Sequence, residues 1–574
     1  MTMSESLDMS KHNHQNQHQT PDGRADAASP ASKEHDSPIR HQEAEVAAAE
    51  APMKKDLRFW TMFLAIGLCQ FLAALDATIL STALPTIMGE LDSGELYVWV
   101  VNSYLLASTA FGPIFGQASN IFGRRVLTIL AVLLFAAGSA ICGSAGNTVQ
   151  LIVGRSVQGI GGGGCVVMPE ILICDLVSLR ERGMYAGILA AAWTVACLAA
   201  PVIGAALAER ATWRWIFYMN LPISAVVLVP VVLLKQRYPH QGTLWQRLRR
   251  IDWAGNAILV ASVTSLLLSL TWAGTLHPWS SWRTIVPMVL GLVGLGGFVY
   301  FESGPWLSEP TMPVRLFQNC TSAAVYVTSF LHGILLFWVG YFLPIFFQAV
   351  GAASPMRSAV LVLPVLTVGA PAGLLAGVAT TVTGKYRPWH FVGWALTAVG
   401  LGLFALLDER SPLGWSVGFQ VVFGFGFGVL FTTFLPALLA SLSDADVAVA
   451  TATWIFVRNL GCIWGIAIPA AVFNTRTDRL VAALPDAALR EMLVRGGAYE
   501  HATAASVGLF RAVPELYGMI VDLYASSLKL VWLVSIAFAV LGFFLTFLVE
   551  GLGLRKTNDT EFGLSPPQAA RNEV

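Results

Sequence analysis

Four charged side chains lie deep inside long apolar runs of this sequence: Asp76, Arg155, Glu170 and Arg458. A charge in such a setting is costly, and it usually serves a function. A buried carboxylate tends to hold a proton, whereas a neighbouring arginine favours the ionised form, so small movements of such a pair change its affinity for protons. These residue types therefore predict reversible proton binding.

Asp76 and Arg155 fall at similar depths if their runs form helices that cross a membrane in opposite directions. At the α-helical rise, Asp76 lies about 26 Å above the inner end of the first helix, and Arg155 lies about 10 Å below the outer end of the fourth. The apolar core of a bilayer is about 30 Å thick, so both residues lie in its outer third. We hypothesise that Asp76 binds the proton and Arg155 tunes it. A purely structural ion pair is the alternative.

Glu170 is a second candidate for proton or cation binding. It lies about 22 Å further along the fourth run than Arg155, on the same broad helix face. A solvated position at the inner vestibule is the alternative. We expect no metal and no cofactor, because the apolar runs hold His332 without a cluster of further ligands.

The elements that position these residues are membrane-spanning helices. Of 574 residues, 55% are hydrophobic and only 12% are charged, against about a quarter charged in soluble proteins. A surface so poor in charge must face lipid. The net charge of zero gives no basic excess for nucleic acid, and no nucleotide-binding loop is present. We expect an all-α polytopic membrane protein that has the lipid bilayer as a partner, does not bind nucleic acid and is not an enzyme.

Fourteen stretches are long and apolar enough to span a bilayer. They lie near 59–81, 97–117, 126–144, 148–173, 184–208, 214–234, 253–273, 284–302, 322–347, 356–379, 389–407, 413–440, 447–474 and 528–550. Lys and Arg are concentrated in the loops on the side of the N-terminus, so the positive-inside rule places both termini in the cytoplasm. We expect a multi-pass protein of the plasma membrane, with an internal membrane such as the vacuole as the alternative.

An internal repeat relates the two ends of the apolar region. Gly116, Gly123 and Trp193 recur 261 residues later as Gly377, Gly384 and Trp454. Paired repeats are the common plan of secondary transporters, in which one helix bundle moves against the other around a central site. Two similar bundles without a pathway, as in a scaffold, are the alternative.

The repeat divides the chain into five parts. They are a disordered cytoplasmic tail at 1–53, a six-helix bundle at 54–234, a linker with two extra spans at 235–302, a second six-helix bundle at 303–550 with a long extracellular loop at 475–527, and a cytoplasmic tail at 551–574. The tail at 1–53 holds five of the ten histidines, but its polar composition favours a solvated segment over a metal site.

Several motifs in this order resemble the major facilitator superfamily, specifically its fourteen-span drug:proton antiporters. They are Gly116–Arg125 (GQASNIFGRR), Leu75–Pro85 (LDATILSTALP), Arg155–Gly159 (RSVQG), Ala196–Ala205 (ACLAAPVIGA), Trp213–Asn220 (WRWIFYMN) and Leu343–Gln348 (LPIFFQ). The last two are similar to fungal members that export toxins and secondary metabolites. The resemblance covers about 55–550. It departs from the family at Asn120, where an Asp is usual, and at three alanines of Ala196–Ala205, where glycines are usual.

The resemblance implies two six-helix bundles plus two inserted helices, and it supports a role for Arg155 in coupling. It implies proton-coupled export of a small hydrophobic compound by a monomer that alternates its access between the two membrane faces. The partners are then protons and a small-molecule substrate. A transporter of the same fold for a siderophore or a basic amino acid is one alternative, and a membrane enzyme or receptor-like sensor is another.

The loop between the second and third spans is the predicted inner gate. Its residues are Gly116, Asn120, Gly123, Arg124 and Arg125, with Asp175 as their partner. The two arginines can reach Asp175 or the carbonyl groups at helix C-termini, where positive charge is favoured. Such contacts would hold the bundles closed at the inner side. Positive charge that only sets the topology is the alternative.

The fifth span carries a stripe of small residues at Ala196, Ala200 and Gly204, with Pro201 beside it. Small residues let helices approach closely, and proline bends a helix. We expect this face to pack against the opposite bundle.

Aromatic walls bind bulky hydrophobic molecules, although many membrane aromatics face lipid or pack in the core. The candidate substrate residues are Gln158, Trp193, Trp338, Tyr341, Phe342, Phe347, Trp454 and Arg458. Trp193 and Trp454 are favoured because the repeat relates them, and Gln158 and Arg458 would add polar recognition.

Overall fold

The computed structural model describes residues 55–91, 97–233, 236–237, 242–273, 277–307, 309–494, 496–556 and 563–564. The predicted tail at 1–53 and most of the tail at 551–574 lie outside these residues. In chain order the elements are α1 (Leu57–Leu91), α2 (Tyr97–Phe122), α3 (Arg124–Gly143), α4 (Thr148–Leu176), α5 (Arg182–Arg210), α6 (Arg214–Tyr218), α7 (Asn220–Leu233), β1 (Gln236–Arg237), α8 (Leu244–Arg250), α9 (Trp253–Trp272), α10 (Trp282–Glu302), a 3₁₀ turn (Val314–Phe317), α11 (Cys320–Ile345), a π-helical turn (Phe346–Val350), α12 (Pro355–Thr383), α13 (Arg387–Phe404), α14 (Leu413–Ala440), a 3₁₀ turn (Asp444–Asp446), α15 (Val447–Val481), α16 (Ala487–Leu493), α17 (Gly497–Glu500), α18 (Ala504–Gly508), a 3₁₀ turn (Leu509–Ala512), α19 (Pro514–Leu545), a 3₁₀ turn (Thr546–Leu548) and β2 (Gly563–Leu564).

Each predicted span coincides with a long helical segment, although the sixth is broken at Met219 between α6 and α7. Twelve helical segments of the described chain are long and apolar enough to cross a membrane. Helices α2 and α13 are not among them. A multi-pass membrane protein is therefore supported, whereas fourteen spans stay a prediction.

Local sequence sets several helix ends. The Asn147 side chain accepts a hydrogen bond from the Gln150 backbone N–H at 2.8 Å, which caps the start of α4. Between α2 and α3 the chain turns at Gly123, whose φ of 90° lies in a region that favours glycine. This residue is therefore what allows two long helices to follow each other almost without a loop.

The predicted loop at 475–527 is shorter than expected, because α15 continues to Val481 and α19 begins at Pro514. The connection between them contains the short helices α16, α17 and α18. It packs onto the neighbouring helices, since Leu489 and Leu493 are buried and the Tyr524 hydroxyl donates a hydrogen bond to the Ala498 carbonyl at 2.8 Å. Packed apolar side chains hold these short helices in place.

The helices pack as two related sets, which we call the N-half (α1–α7) and the C-half (α11–α15 with α19). In the N-half, α4 packs against α2 and α3, and α1 packs against α5. The C-half repeats this arrangement, with α14 against α12 and α13, and α11 against α15. Across the halves, α5 packs against α12 and α15 against α2. The equivalent pairing is what a repeated sequence produces, although the predicted domain boundaries stay an interpretation.

The inserted helices α9 and α10 pack against each other, and α9 also contacts α2 and α15. Gly291 makes this possible, because an added Cβ there would come within 2.8 Å of the Leu266 backbone nitrogen. Because α9 contacts α2 of the N-half and α15 of the C-half, the two inserted helices lie beside the interface of the halves.

Candidate functional site

Asp76 lies in a sealed polar network inside the N-half. Its carboxylate is fully buried and accepts a hydrogen bond from Arg155 Nη1 at 2.6 Å. The other carboxylate oxygen accepts hydrogen bonds from Gln158 Nε2 at 2.7 Å and Asn220 Nδ2 at 3.1 Å. The pairing that the depth argument predicted is therefore present, and it joins α1, α4 and α7.

Arg155 is held by a third helix as well. Its Nε donates a hydrogen bond to the Val100 carbonyl at 3.1 Å, and its guanidinium carbon lies 4.4 Å from the centre of the Tyr104 ring. Both residues are in α2. This guanidinium, which is 1% exposed, is thus surrounded by a carboxylate, a carbonyl and an aromatic face, the groups that stabilise a buried cation.

Gln158 belongs to this sealed network, and its role in substrate recognition stays a prediction. Its side chain is completely buried, and its amide also donates a hydrogen bond to Ser139 Oγ at 2.8 Å. The sequence reasoning missed Ser139 and Asn220 as members of the network. Asn220 ends the Trp213–Asn220 motif, which was a usable signal, whereas nothing in the sequence distinguishes Ser139 from other small polar residues.

Glu170 lies at the interface of the two halves. It is 4% exposed, which excludes a solvated vestibule position in this conformation. Gln70 of α1 is hydrogen bonded to the Glu170 side chain, and the charge of Arg458 in α15 acts on it. Its Oε2 atom has no hydrogen-bond partner among the described residues. Glu170 therefore has a charged neighbour from the opposite half, which the sequence did not predict.

Arg458 lies against two aromatic rings of the C-half whose centres are 6.4 Å apart. Its guanidinium carbon is 4.8 Å from the centre of Phe431 and 4.7 Å from that of Trp454. The Trp454 Nε1–H donates a hydrogen bond to Ser329 Oγ at 2.8 Å, which fixes the indole. Since Trp454 and Arg458 are four residues apart on α15, they share one helix face. The two candidate substrate residues therefore lie together, and their contact with a substrate stays a prediction.

His332 of α11 completes this region. Its ring stacks on Phe427 with the ring centres 3.7 Å apart, and its Nε2 lies 3.2 Å from the Phe427 carbonyl oxygen. The charge of Arg458 acts on His332 as well. The His332 Nδ1 atom is buried and unpaired within the described chain.

Three of the predicted substrate aromatics are instead core residues. Trp338 and Phe342 are fully buried and Phe347 is 4% exposed; all three belong to the packed interior of the C-half. Tyr341 is 43% exposed and stacks on Phe337, so it lies on a surface. Trp193 is partly exposed and stays a candidate. The sequence alone does not show which aromatic faces meet a neighbouring helix.

The predicted inner gate forms a network around Arg124, which is 5% exposed. Its Nε donates a hydrogen bond to Asp175 at 2.9 Å, and its Nη1 donates to the Asn120 side chain at 2.7 Å. Arg125 binds the carbonyls of Val231 and Val232 at the end of α7. Both kinds of predicted contact are thus present, and Asn120 accepts from Arg124 even without the usual carboxylate.

The contacts of Arg124 and Arg125 described above lie within the N-half, so a latch between the bundles stays a prediction. The halves instead meet near this end through Arg180, which donates hydrogen bonds to the carbonyls of Thr381 and Val382, both at 2.6 Å. The gate loop therefore braces one half, and a different arginine spans the junction.

Two repeat-related glycines also contact the opposite half. A Cβ at Gly116 would overlap with the Ala452 Cβ, and a Cβ at Gly377 would overlap with the Gly183 carbonyl. Glycine permits this close approach of helices. We call this the closed end, defined by Gly116, Arg180 and Gly377; it is the end predicted to face the cytoplasm.

The small-residue stripe of α5 packs within its own half, which corrects the expected packing against the opposite bundle. Ala196 and Ala200 are fully buried in a cluster with Ala74, Leu75 and other N-half residues. Gly204 is buried too. The helix continues through Pro201, whose side chain lies outside what the structure describes. The contact of α5 with α12 uses Gly187 and Leu374 instead.

Metal ligands do not converge in the described part of the chain, where no group of three or more His, Cys, Asp or Glu side chains is arranged to hold a metal ion. Two of the buried polar sites in the described residues are the candidates for function: the sealed Asp76 network and the partly unpaired groups around Glu170.

The sequence model of the Major Facilitator Superfamily matches residues 66–466. The chain belongs to this superfamily. It is 56% identical to the MFS-type efflux pump LUC4 of Fusarium sp. over 91% of its own length and 93% of that protein. It is 54% identical to the acurin A biosynthesis cluster MFS-type transporter of Aspergillus aculeatus, over 90% and 93% of the two chains.

The superfamily fold is also found by structure. The human organic anion transporter MFSD10 matches 86% of this chain and 100% of its own with a TM-score of 0.57 at 13% identity, which shows a shared fold alone. Major facilitator proteins are transporters rather than enzymes. This chain is therefore a transporter and not an enzyme.

Proposed function

We propose that this transporter exports a small, largely hydrophobic compound of the drug, toxin or secondary-metabolite class in exchange for protons, as a monomer. The observation that carries the proposal is that Glu170 and Arg458 come from opposite halves, that the charge of Arg458 acts on Glu170, and that both residues have buried polar atoms without a hydrogen-bond partner among the described residues. Buried polar groups are normally satisfied. Orphaned groups at a moving interface are therefore suited to bind a substrate transiently. The names of relatives more than 50% identical support the export direction.

Alternating access follows from how the halves meet. At the closed end, Arg180 and the close approach of Gly116 to Ala452 join the halves. Opening this end requires those contacts to break while the packing inside each half persists. The gate network of Arg124 and Asp175 supports that motion, because it stiffens the N-half as a unit.

Asp76 is the proposed proton-binding group, with Glu170 as the second. In this conformation Arg155 neutralises Asp76 directly, so protonation requires Arg155 to move away. Glu170 already lies at the interface, where a rocking motion changes its distance from Arg458. Proton binding at either carboxylate would then depend on which end is open. A structural ion pair at Asp76 stays the alternative reading of its network.

We place the transporter in the plasma membrane with both termini in the cytoplasm and with fourteen spans, as in the fourteen-span drug:proton antiporters. The distribution of Lys and Arg supports this orientation. Helices α9 and α10, which pack beside the two halves, are the two additional spans of that group.

The test is export from cells that carry or lack the gene, with and without a protonophore, screened over a library of toxic hydrophobic compounds. We expect lower accumulation of at least one compound in cells with the gene, and loss of that difference when the proton gradient collapses. Export that persists with the protonophore would refute proton coupling. Uptake of a siderophore or basic amino acid into proteoliposomes under an imposed pH gradient would refute the export of hydrophobic compounds.

A further inference from the structure

Four side chains from both halves leave polar atoms unpaired in one region, which we call the interface cluster: Gln70, Glu170, His332 and Arg458. Gln70 Oε1, Glu170 Oε2, His332 Nδ1 and Arg458 Nη1 are all buried without a hydrogen-bond partner among the described residues. Gln70, Glu170 and His332 are each at most 4% exposed. An unmade hydrogen bond of a buried polar group costs about 1–3 kcal/mol. Four such atoms in one region form a candidate binding site.

The residues of the interface cluster are neighbours rather than scattered orphans. Glu170 is hydrogen bonded to Gln70 and interacts with the charge of Arg458, which in turn acts on His332. They lie on α1, α4, α11 and α15. A molecule bound here would touch both halves at once, as a transported substrate must.

The unpaired atoms determine which hydrogen-bond donors and acceptors a ligand needs. Arg458 Nη1 is a donor and needs an acceptor, whereas Gln70 Oε1 and Glu170 Oε2 are acceptors and need a donor. His332 Nε2 donates to the Phe427 carbonyl oxygen, so Nδ1 of the neutral ring is a third acceptor. A polar group that carries a donor and an acceptor side by side, such as an amide or a hydroxy-carbonyl group, satisfies both requirements.

Charge balance decides between a neutral and an ionic ligand. When Glu170 is ionised, it and Arg458 carry opposite charges, so the cluster as a whole is neutral. A carboxylate bound here would leave one uncompensated negative charge, and an ammonium group one positive charge, in a mostly buried site. An uncompensated buried charge costs several kcal/mol. The cluster therefore disfavours both organic anions and organic cations.

The flanking side chains indicate the body of the ligand. Phe431 and Trp454 face the guanidinium of Arg458 at 4.8 and 4.7 Å. Phe431 and Arg458 are partly exposed, so this side of the cluster is open while its polar atoms are buried. Flat unsaturated groups pack well on aromatic faces.

We propose that the interface cluster binds the uncharged polar end of a flat unsaturated substrate, through an acceptor placed on Arg458 and a donor placed on Glu170 and Gln70. This inference rests on the proposed export function and names its substrate class. It separates the transporter from exporters of lipophilic cations.

The test is equilibrium dialysis of four naphthalene probes with the same ring position substituted, against the purified full-length protein in nanodiscs and mildly alkaline buffer. The probes are naphthamide (neutral, donor and acceptor), naphthoate (anion), naphthylmethyl-trimethylammonium (cation) and methylnaphthalene (apolar). We expect naphthamide to bind about tenfold or more tightly than each of the others. Equal or tighter binding of the anion or the cation would overturn the proposal.

Two variants make the charge argument decisive, because a merely structural role would not invert the order of the probes. Glu170→Gln leaves the cluster with a net positive charge, so naphthoate should gain about tenfold relative to naphthamide. Arg458→Gln leaves a net negative charge, so the ammonium probe should gain instead. Glu90→Gln, the same change in an exposed pair with Arg214, should keep the wild-type order. An unchanged order in Glu170→Gln refutes the proposal even if Arg458→Gln does not fold.

Binding is measured without transport, so the two proposals fail separately. The expected probe order in a protein that exports nothing from cells would support this site and refute the export function. Export without the expected order would refute this site alone.

Discussion

Replacement of Asp76 by asparagine tests how strongly the sealed network holds the N-half together. The substitution keeps the side-chain volume but leaves Arg155, which is 1% exposed, without its carboxylate. Removal of one partner from a buried ion pair typically costs about 3–5 kcal/mol. Arg155 keeps its hydrogen bonds to the Val100 carbonyl and the Gln158 side chain. We therefore expect about 3 kcal/mol, the lower end of that range.

The measurement is the free energy of unfolding of the purified protein in mixed micelles titrated with dodecyl sulfate. The matched control is Glu309→Gln, which removes the carboxylate of the Arg250–Glu309 pair; both of its members are 31% exposed. A pair that is this accessible should contribute at most about 1 kcal/mol.

A double variant isolates the ion pair itself. Asp76→Asn combined with Arg155→Gln removes the uncompensated charge, so the pair of changes should cost less than the sum of the single ones. Strict additivity, or a loss for Asp76→Asn no larger than that of the control, would show that the network does not depend on charge pairing.

Two further predictions concern the ends of the helices. Gly116→Leu should abolish export, because even a Cβ at this position overlaps with Ala452. The measurement is substrate accumulation in cells, and partial recovery of export in combination with Ala452→Gly would identify the overlap as the cause. Full export by Gly116→Leu would contradict it. Hydrogen bonds from Arg214 and Trp213 lower the pKa of Glu90 below its ordinary value of 4.5, so the stability that this carboxylate contributes is fully present above pH 4.5 and is lost as the pH falls through the lowered pKa. Thermal unfolding across that range should show a steeper acid loss for the wild type than for Glu90→Gln, and parallel curves would refute the assignment.

The positions of the helices were largely readable from the sequence. Apolar runs of sufficient length, interrupted by Gly123 and by charged loops, gave every long helix, because burial in lipid demands a continuous apolar stretch with its backbone hydrogen bonds made internally. The helical rise placed Asp76 and Arg155 at one depth, and the structure pairs them. The ends of helices were less accurate. Amphipathic turns such as the start of α19 at Pro514 continue a helix beyond its apolar part, so hydropathy does not mark where the helix begins.

The contacts between helices could not be predicted from the sequence. The stripe at Ala196 and Ala200 signals close packing, but small residues fit any neighbour, and only the fold shows that the neighbour is α1. Gln158 looked free to bind a substrate until Asp76 and Ser139 were seen to occupy its amide.

The sequence by itself determined that this protein is a two-fold repeated bundle of membrane helices with a few costly charges inside, because hydropathy, spacing and the cost of burying charge are local properties. Only the tertiary structure decided which charges meet. Arg155 forms an ion pair with Asp76 within one half, whereas the charge of Arg458 from the other half acts on Glu170. The physical reason is that helices far apart in the chain are brought together by the packing of whole faces, which no single segment encodes.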